Sequence, residues 1–220
     1  KIMDVGARMQ AACSGRILCL HGSGGRGATL LQRLAPLCAA APDWNFDALD
    51  APSGLGKWWS YAPGQRSFTA LSYVGAEESI ALVESHLVAG GYCGVLGFSQ
   101  GAMLAAIIAA RSALGEGPPL RLAICMSAAL PKPYEDLLLR LCNAPEMARQ
   151  SVRTLHCLSK ADDVNPPQLG EQVASCFMPS SKVLWHNSGH QVPPTECLGD
   201  VGTFLHQSAR ASLVGDGESD

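Results

Sequence analysis

Three side chains in this sequence are of the types that together make a nucleophile out of an alcohol: Ser99, Asp162 and His190. A serine hydroxyl is weakly nucleophilic, so it needs a base to take its proton and an acid to hold that base in the correct tautomer. Ser99 stands in Gly97-Phe98-Ser99-Gln100-Gly101, a Gly-x-Ser-x-Gly pattern. Such a serine sits on a sharp turn from strand to helix, where the flanking backbones come too close for side chains. The pattern alone also fits a glycine-rich turn with a solvated serine, and context decides between the two. Here an apolar run at 92–96 predicts a buried strand before the turn, and good helix formers at 103–110 predict a helix after it. The free N–H groups of that helix would lie beneath an anion forming near Ser99.

The acid and the base each have a rival. Asp163 adjoins Asp162, and sequence favours Asp162 as the inward-facing carboxylate with Asp163 solvated. His186 competes with His190, but His186 stands at a strand end whereas His190 follows a glycine in the loop proper. Of the other histidines, His21 is expected to stabilise the loop after the first strand, His156 lies within a strand, and His86 and His206 lie on helices. A tetrahedral intermediate also needs two donors for its oxyanion. The backbone N–H of Gln100, just after the nucleophile, is one. That of Ser23, in the glycine-rich loop His21-Gly22-Ser23-Gly24-Gly25, is the expected other. This loop lacks the lysine and spacing of a phosphate-binding P-loop.

These residues must be carried to one edge. Ile17-Leu18-Cys19-Leu20 predicts a buried parallel strand opening into the Ser23 loop. Leucines over 30–38 recur at helical spacing with a kink at Pro36, and 45–50 predicts a second strand. A long helix is expected from Tyr73 through Ile80, Val83 and Leu87 to Gly90-Gly91. After the serine helix, strands are expected at 120–126, 152–158 and 183–185, and helices at 167–177 and 195–209. Asp162 and His190 then fall in the loops after the last two strands. Alternating strands and helices imply an α/β domain, with a mainly parallel sheet, helices on both faces and reactive loops at the strands' C-terminal ends.

Two stretches have open roles. Trp58, Trp59 and Tyr61 concentrate rings in a chain with only 6% aromatics; they either cover the sheet edge or form a pocket wall for the apolar part of a substrate. Residues 130–150, with three prolines and a leucine-rich helix, either cap the site or form a plain crossover. The expected organisation is an N-terminal extension at 1–14, one domain at 15–209 and a disordered acidic tail at 210–220.

Composition narrows the function classes. At 220 residues and 47% hydrophobic content, one domain can hold a single core. A net charge of −3 with no Lys/Arg cluster argues against nucleic acid as a partner and for a small-molecule substrate. The longest apolar run, 102–110, is about half of a membrane span, and 1–14 has no signal-peptide core. Nine cysteines without Cys-x-x-Cys spacing suggest buried, reduced thiols and a cytoplasmic protein. Cys93 is the one nearest the serine turn. No ligand spacing suggests a metal, and no cofactor is expected. Nothing in the residues specifies an oligomeric state.

Cys19-Leu20-His21-Gly22, the segment Gly94 through Ala102, Asp162, and Ser188-Gly189-His190-Gln191-Val192-Pro193 together resemble the FSH family of serine hydrolases, which includes the ovarian-cancer-associated protein 2 esterases. The Ser, Asp, His order is that of α/β-hydrolases. The resemblance implies an α/β-hydrolase fold and a Ser99/Asp162/His190 triad acting on carboxylic esters. Two departures stand out: the loop after Gly22 is built of smaller residues than the family usually has, and Ser159 stands where a glycine commonly precedes the acid by three. A thioesterase with the same triad, or a non-catalytic binding module of the same fold, are the rival readings.

Overall fold

The computed structural model describes residues 15–215, with side chains through residue 209; the expected extension at 1–14 and positions 216–220 of the expected tail lie outside the described residues. Six strands form one sheet: β1 (Gly15–Leu20), β2 (Trp44–Leu49), β3 (Gly94–Phe98), β4 (Leu122–Met126), β5 (Arg153–Ser159) and β6 (Ser181–His186). Their order is β2-β1-β3-β4-β5-β6, and every neighbouring pair is parallel. A sheet covered on both faces needs apolar residues at successive positions, which is why β1 reads as an unbroken run. Leu18 and Leu20 point into one core and Ile17 and Cys19 into the other.

Helices fill both layers. On the Leu18 face lie α3 (Ala76–Gly90), α4 (Gln100–Ala113), α5 (Glu135–Cys142) and α7 (Pro167–Ser175). On the Ile17 face lie α1 (Gly27–Arg33), α2 (Ala35–Ala40) and α8 (Thr195–Gly215). The short α6 (Glu146–Gln150) connects α5 to β5. Helix α4 is apolar all round because it lies between the sheet and its neighbouring helices; Ile107 and Ile108 are fully buried. Truncating either to alanine would cost about 2–5 kcal/mol. Strand order reverses direction between β1 and β3, and ligands of open α/β sheets bind in the crevice at such a switch point.

Several elements differ from their sequence expectations for identifiable reasons. The helix over 30–38 is not kinked but divided at Leu34, and Pro36 occupies the first turn of α2, where its missing N–H costs nothing. Helix α3 begins only after Gly75, at φ 87°. Tyr73 is outside it, with its ring stacked on Trp59 at 4.5 Å. Val74 pairs antiparallel with Ser60, so the segment between them is a closed loop. Residues 130–150 form a short 3-10 turn, α5 and α6, with Leu137, Leu138 and Leu141 packed in the core. They contribute nothing to the clefts around Ser99. The last helix continues beyond 209 to Gly215. No described helix is long and apolar enough to cross a membrane.

Candidate active site

The turn after β3 is built by contact between backbones. A Cβ on Gly97 would lie 2.1 Å from the Gly101 carbonyl oxygen, and one on Gly101 would lie 2.2 Å from that of Leu20. Only glycine permits the ends of β1 and β3 to meet the start of α4 so closely. Between them Ser99 adopts φ 54° and ψ −116°, a conformation that costs a non-glycine residue about 1–3 kcal/mol. The turn is held by the Ser99 N–H donating to Met126 O at 2.9 Å, while Ser99 O accepts from Ala102 and Met103 N–H at 3.0 and 3.1 Å.

Strands β5 and β6 deliver the other two groups. His190 Nε2 lies 2.8 Å from Ser99 Oγ, and His190 Nδ1 lies 2.8 Å from Asp162 Oδ2 and 3.0 Å from Oδ1. A carboxylate only accepts, so Nδ1 carries the ring proton and Nε2 is free to accept from the serine hydroxyl. Asp162 Oδ1 also accepts from the N–H groups of Val164 and Asn165 at 2.9 and 2.8 Å. These bonds replace the water that the buried carboxylate gave up. Asp163 is exposed, whereas Asp162 is buried and is the one of the two that meets His190. His186 is buried away from Ser99, with Nδ1 accepting from Ser188 N–H at 3.2 Å. Burial pushes its pKa down, against the opposing pull of the Asp162 charge.

Three further side chains hold this arrangement, and sequence reasoning did not find their roles. Ser159 Oγ accepts from Ala161 N–H at 3.2 Å and from Gly189 N–H at 3.0 Å, tying the Asp162 loop to the His190 loop. Its one visible signal was that it departs from the family pattern; a glycine there would offer no acceptor. Asn165 Nδ2 donates to Ser127 O at 2.8 Å, fixing the acid loop to the end of β4. The Gln100 side chain is buried, accepting from Trp58 N–H at 3.1 Å and donating to Trp59 O at 2.9 Å.

Ser23, Ser99 and Gln100 line one cleft of about 340 Å³ together with Tyr61, Arg66 and Met103. Ser23 and Gln100 thus border the same cleft as the serine. Of the three aromatics expected near substrate, only Tyr61 lines this cleft. Trp58 and Trp59 are packed in the core at 1% and 2% exposure. Trp58 Nε1 donates to His21 O at 2.7 Å, so that ring braces the Ser23 loop from below. His21 does the same from within, its Nδ1 bonded to Gly22 O at 2.8 Å and its Nε2 accepting from Ala51 N–H at 3.1 Å. Cys93 precedes the first residue of β3, at the opposite end of that strand from Ser99, with Sγ on Arg16 O. The eight cysteines among the described residues are all free thiols.

A doubly wound parallel sheet with a strained serine turn at the end of its third strand, and with His and Asp loops converging on that serine, defines an α/β-hydrolase. The fold agrees with solved structures: acyl-protein thioesterase 2 of Zea mays superposes with a TM-score of 0.72 at 26% identity, over 89% of this chain and 94% of that one. Esterase PE8 superposes at 0.65 and 23% identity over 88% and 92%. Residues 9–198 match the family described as Serine hydrolase (FSH1), and the chain belongs to that family. Among its relatives, esterase FPY3 of Fusarium mangiferae is 29% identical over 91% of this chain and 99% of its own length. Esterase OVCA2 of Homo sapiens is 34% identical over 62% of this chain and 60% of its own.

Proposed function

We propose that this serine hydrolase cleaves carboxylic esters through a covalent acyl-enzyme on Ser99. The observation that carries the proposal is the unbroken hydrogen-bonded series from Ser99 Oγ through His190 to Asp162, with contacts of 2.8 Å on each side of the imidazole. His190 Nε2 takes the hydroxyl proton as Ser99 Oγ attacks the acyl carbon, and Asp162 stabilises the imidazolium that forms. The resulting oxyanion accepts hydrogen bonds from the Ser23 and Gln100 amides, each worth roughly 10²–10³ in turnover. Collapse of the intermediate breaks the ester C–O bond, and His190 returns the proton to the departing alcohol. A water then repeats the sequence on the acyl-enzyme, releasing the acid and restoring Ser99.

Labelling by a fluorophosphonate tests the nucleophile. Wild-type protein should label and Ser99→Ala should not; equal labelling of both would refute the assignment. Turnover of p-nitrophenyl esters from acetate upward then measures the acyl preference, and no turnover at any length would leave the binding-module reading in its place. A thioesterase reading is favoured by the likeness to the maize acyl-protein thioesterase. Rates on an oxygen ester and an acyl-CoA of the same chain separate the two.

A further inference from the structure

The chain has a net charge of −3, yet the cleft that holds Ser99 and the two beside Ser23 and His190 have the opposite character. Arg66 lines the cleft that holds Ser99. Arg33 lines the adjoining cleft at His190, and Arg26 and Arg33 together line the one beside the Ser23 loop. No aspartate or glutamate lines any of the three. Elsewhere three arginines are neutralised, Arg16 by Asp47, Arg111 by Glu84 and Arg140 by Glu116, while Arg149 and Arg153 donate to backbone carbonyls. Among the described residues Arg26, Arg33 and Arg66 form no ion pair. Two acids lie nearby. Asp162 is buried behind His190, where its charge is absorbed by the imidazole and two backbone N–H groups. Asp50 lines a further cleft beside Arg26, with Oδ1 taken by Gly27 N–H at 2.6 Å and the side chain 68% exposed.

Arg66 is anchored in place. One Nη2 hydrogen goes to Val164 O at 2.7 Å, and the guanidinium carbon lies 5.8 Å from the centre of the Phe68 ring. A guanidinium has five N–H donors in a rigid fork, so most of its capacity is left for a ligand. The side of the scissile bond on which it stands follows from the chemistry. His190 must hand a proton to the leaving oxygen, so the alcohol departs over His190, in the cleft with Arg33. The cleft with both oxyanion amides and Arg66 does not include His190, and it therefore receives the acyl chain.

Resting on the ester-hydrolase reading above, we propose that the acyl chain carries a carboxylate: the substrate is a half-ester of a short dicarboxylic acid, with Arg66 as counter-ion and Arg26 and Arg33 drawing the anion to the cleft. Arginine and carboxylate match in a planar, paired geometry that a neutral acyl chain cannot reproduce. Like-signed charge around a cleft raises the local concentration of an oppositely charged substrate.

The test uses the monoethyl esters of succinic, glutaric and adipic acids, each against the neutral ester in which the free carboxylate is replaced by a carboxamide of the same shape. Hydrolysis is followed by pH-stat near neutral pH. Within one enzyme the ratio of kcat/KM for anion over amide cancels any general loss of active protein. Wild type should give a ratio of about tenfold or more for at least one length, the size of one charge-assisted hydrogen bond. The ratio should fall towards one in Arg66→Gln, recover in part in Arg66→Lys, and shrink as salt is added. Turnover of the amide esters with a wild-type ratio of one or less overturns this inference and leaves the hydrolase reading standing. A high ratio unmoved by Arg66→Gln but abolished by Arg33→Gln seats the acyl carboxylate at Arg33 and not at Arg66, and overturns it equally. No turnover of either ester, with no fluorophosphonate labelling, removes the hydrolase reading and this one with it.

Discussion

Two serines stand side by side at the C-terminal ends of neighbouring strands. Ser99 follows Phe98 and Ser127 follows Met126, and those two residues are partners in the β3–β4 register. Both serines have positive φ, 54° and 55°. Each donates its N–H to the next strand, Ser99 to Met126 O at 2.9 Å and Ser127 to Cys157 O at 2.8 Å. Yet Ser99 Oγ meets an imidazole at 2.8 Å, while Ser127 Oγ is buried with no hydrogen-bond partner. The strained backbone thus belongs to the way this sheet turns at its edge. What distinguishes Ser99 is access to the cleft and an imidazole within reach, supplied from three strands away.

Removing each hydroxyl would break or sharpen that contrast. Ser99→Ala should lower kcat by at least about 10⁴-fold, since the remaining parts of such a site cannot replace the nucleophile. Ser127→Ala should leave kcat within about twofold and stability unchanged or slightly raised, because it deletes a buried hydroxyl that nothing satisfies. Steady-state kinetics and urea unfolding read both; comparable activity losses would void the comparison. The next largest effect separates the two adjacent acids. Asp162→Asn should cost about 10⁴-fold in kcat by favouring the wrong imidazole tautomer, while exposed Asp163→Asn should stay within about twofold.

A smaller effect belongs to a residue that the sequence made hard to read. The positions of Ser99, Asp162 and His190 were legible because each falls in a loop after a predicted strand, and parallel strands send all such loops to one edge. That Ser23 and Gln100 would stand at the same edge was legible for the same reason. The roles of Trp58 and Trp59 stayed open because aromatic content says nothing about direction: both rings are packed in the core, Trp58 under the Ser23 loop and Trp59 against Tyr73. The role of Tyr73 was hidden likewise, since a ring that stacks on another in a loop mimics one position of a helical stripe. Ser159 was beyond sequence because its partner, Gly189, is brought near only by the β5–β6 register, in which Ser159 stands opposite His186. Ser159→Ala should lower kcat roughly tenfold with KM little changed, the mark of a misplaced base and not of a lost substrate contact. A rise in KM at unchanged kcat would assign it to binding instead.

The contrast between the two serines extends to the strands beneath them. Around Ser99 the acid and the base are fully engaged, but behind Ser127 the core holds polar atoms with no hydrogen-bond partner: Thr154 Oγ1, Ser181 Oγ and both ring nitrogens of His156. His156 is paired in register with Cys125 and wholly buried, and burial lowers its pKa to about 4. An unfolded chain titrates this group near its usual value of about 6.5, so between those limits the unfolded state binds the extra proton. Its contribution is therefore complete above the unfolded value and is lost as pH falls towards the folded one. Between pH 7 and pH 5 the loss should be about 2 kcal/mol, and His186, whose pKa burial also lowers, adds loss of the same sign. Urea unfolding at the two pH values measures it. His156→Leu should remove most of that slope while retaining esterase turnover, since the imidazole lies in the core and not at Ser99. A slope that survives the substitution would place the acid sensitivity elsewhere, and a loss of turnover would show that the polar core beneath Ser127 does reach the reactive serine.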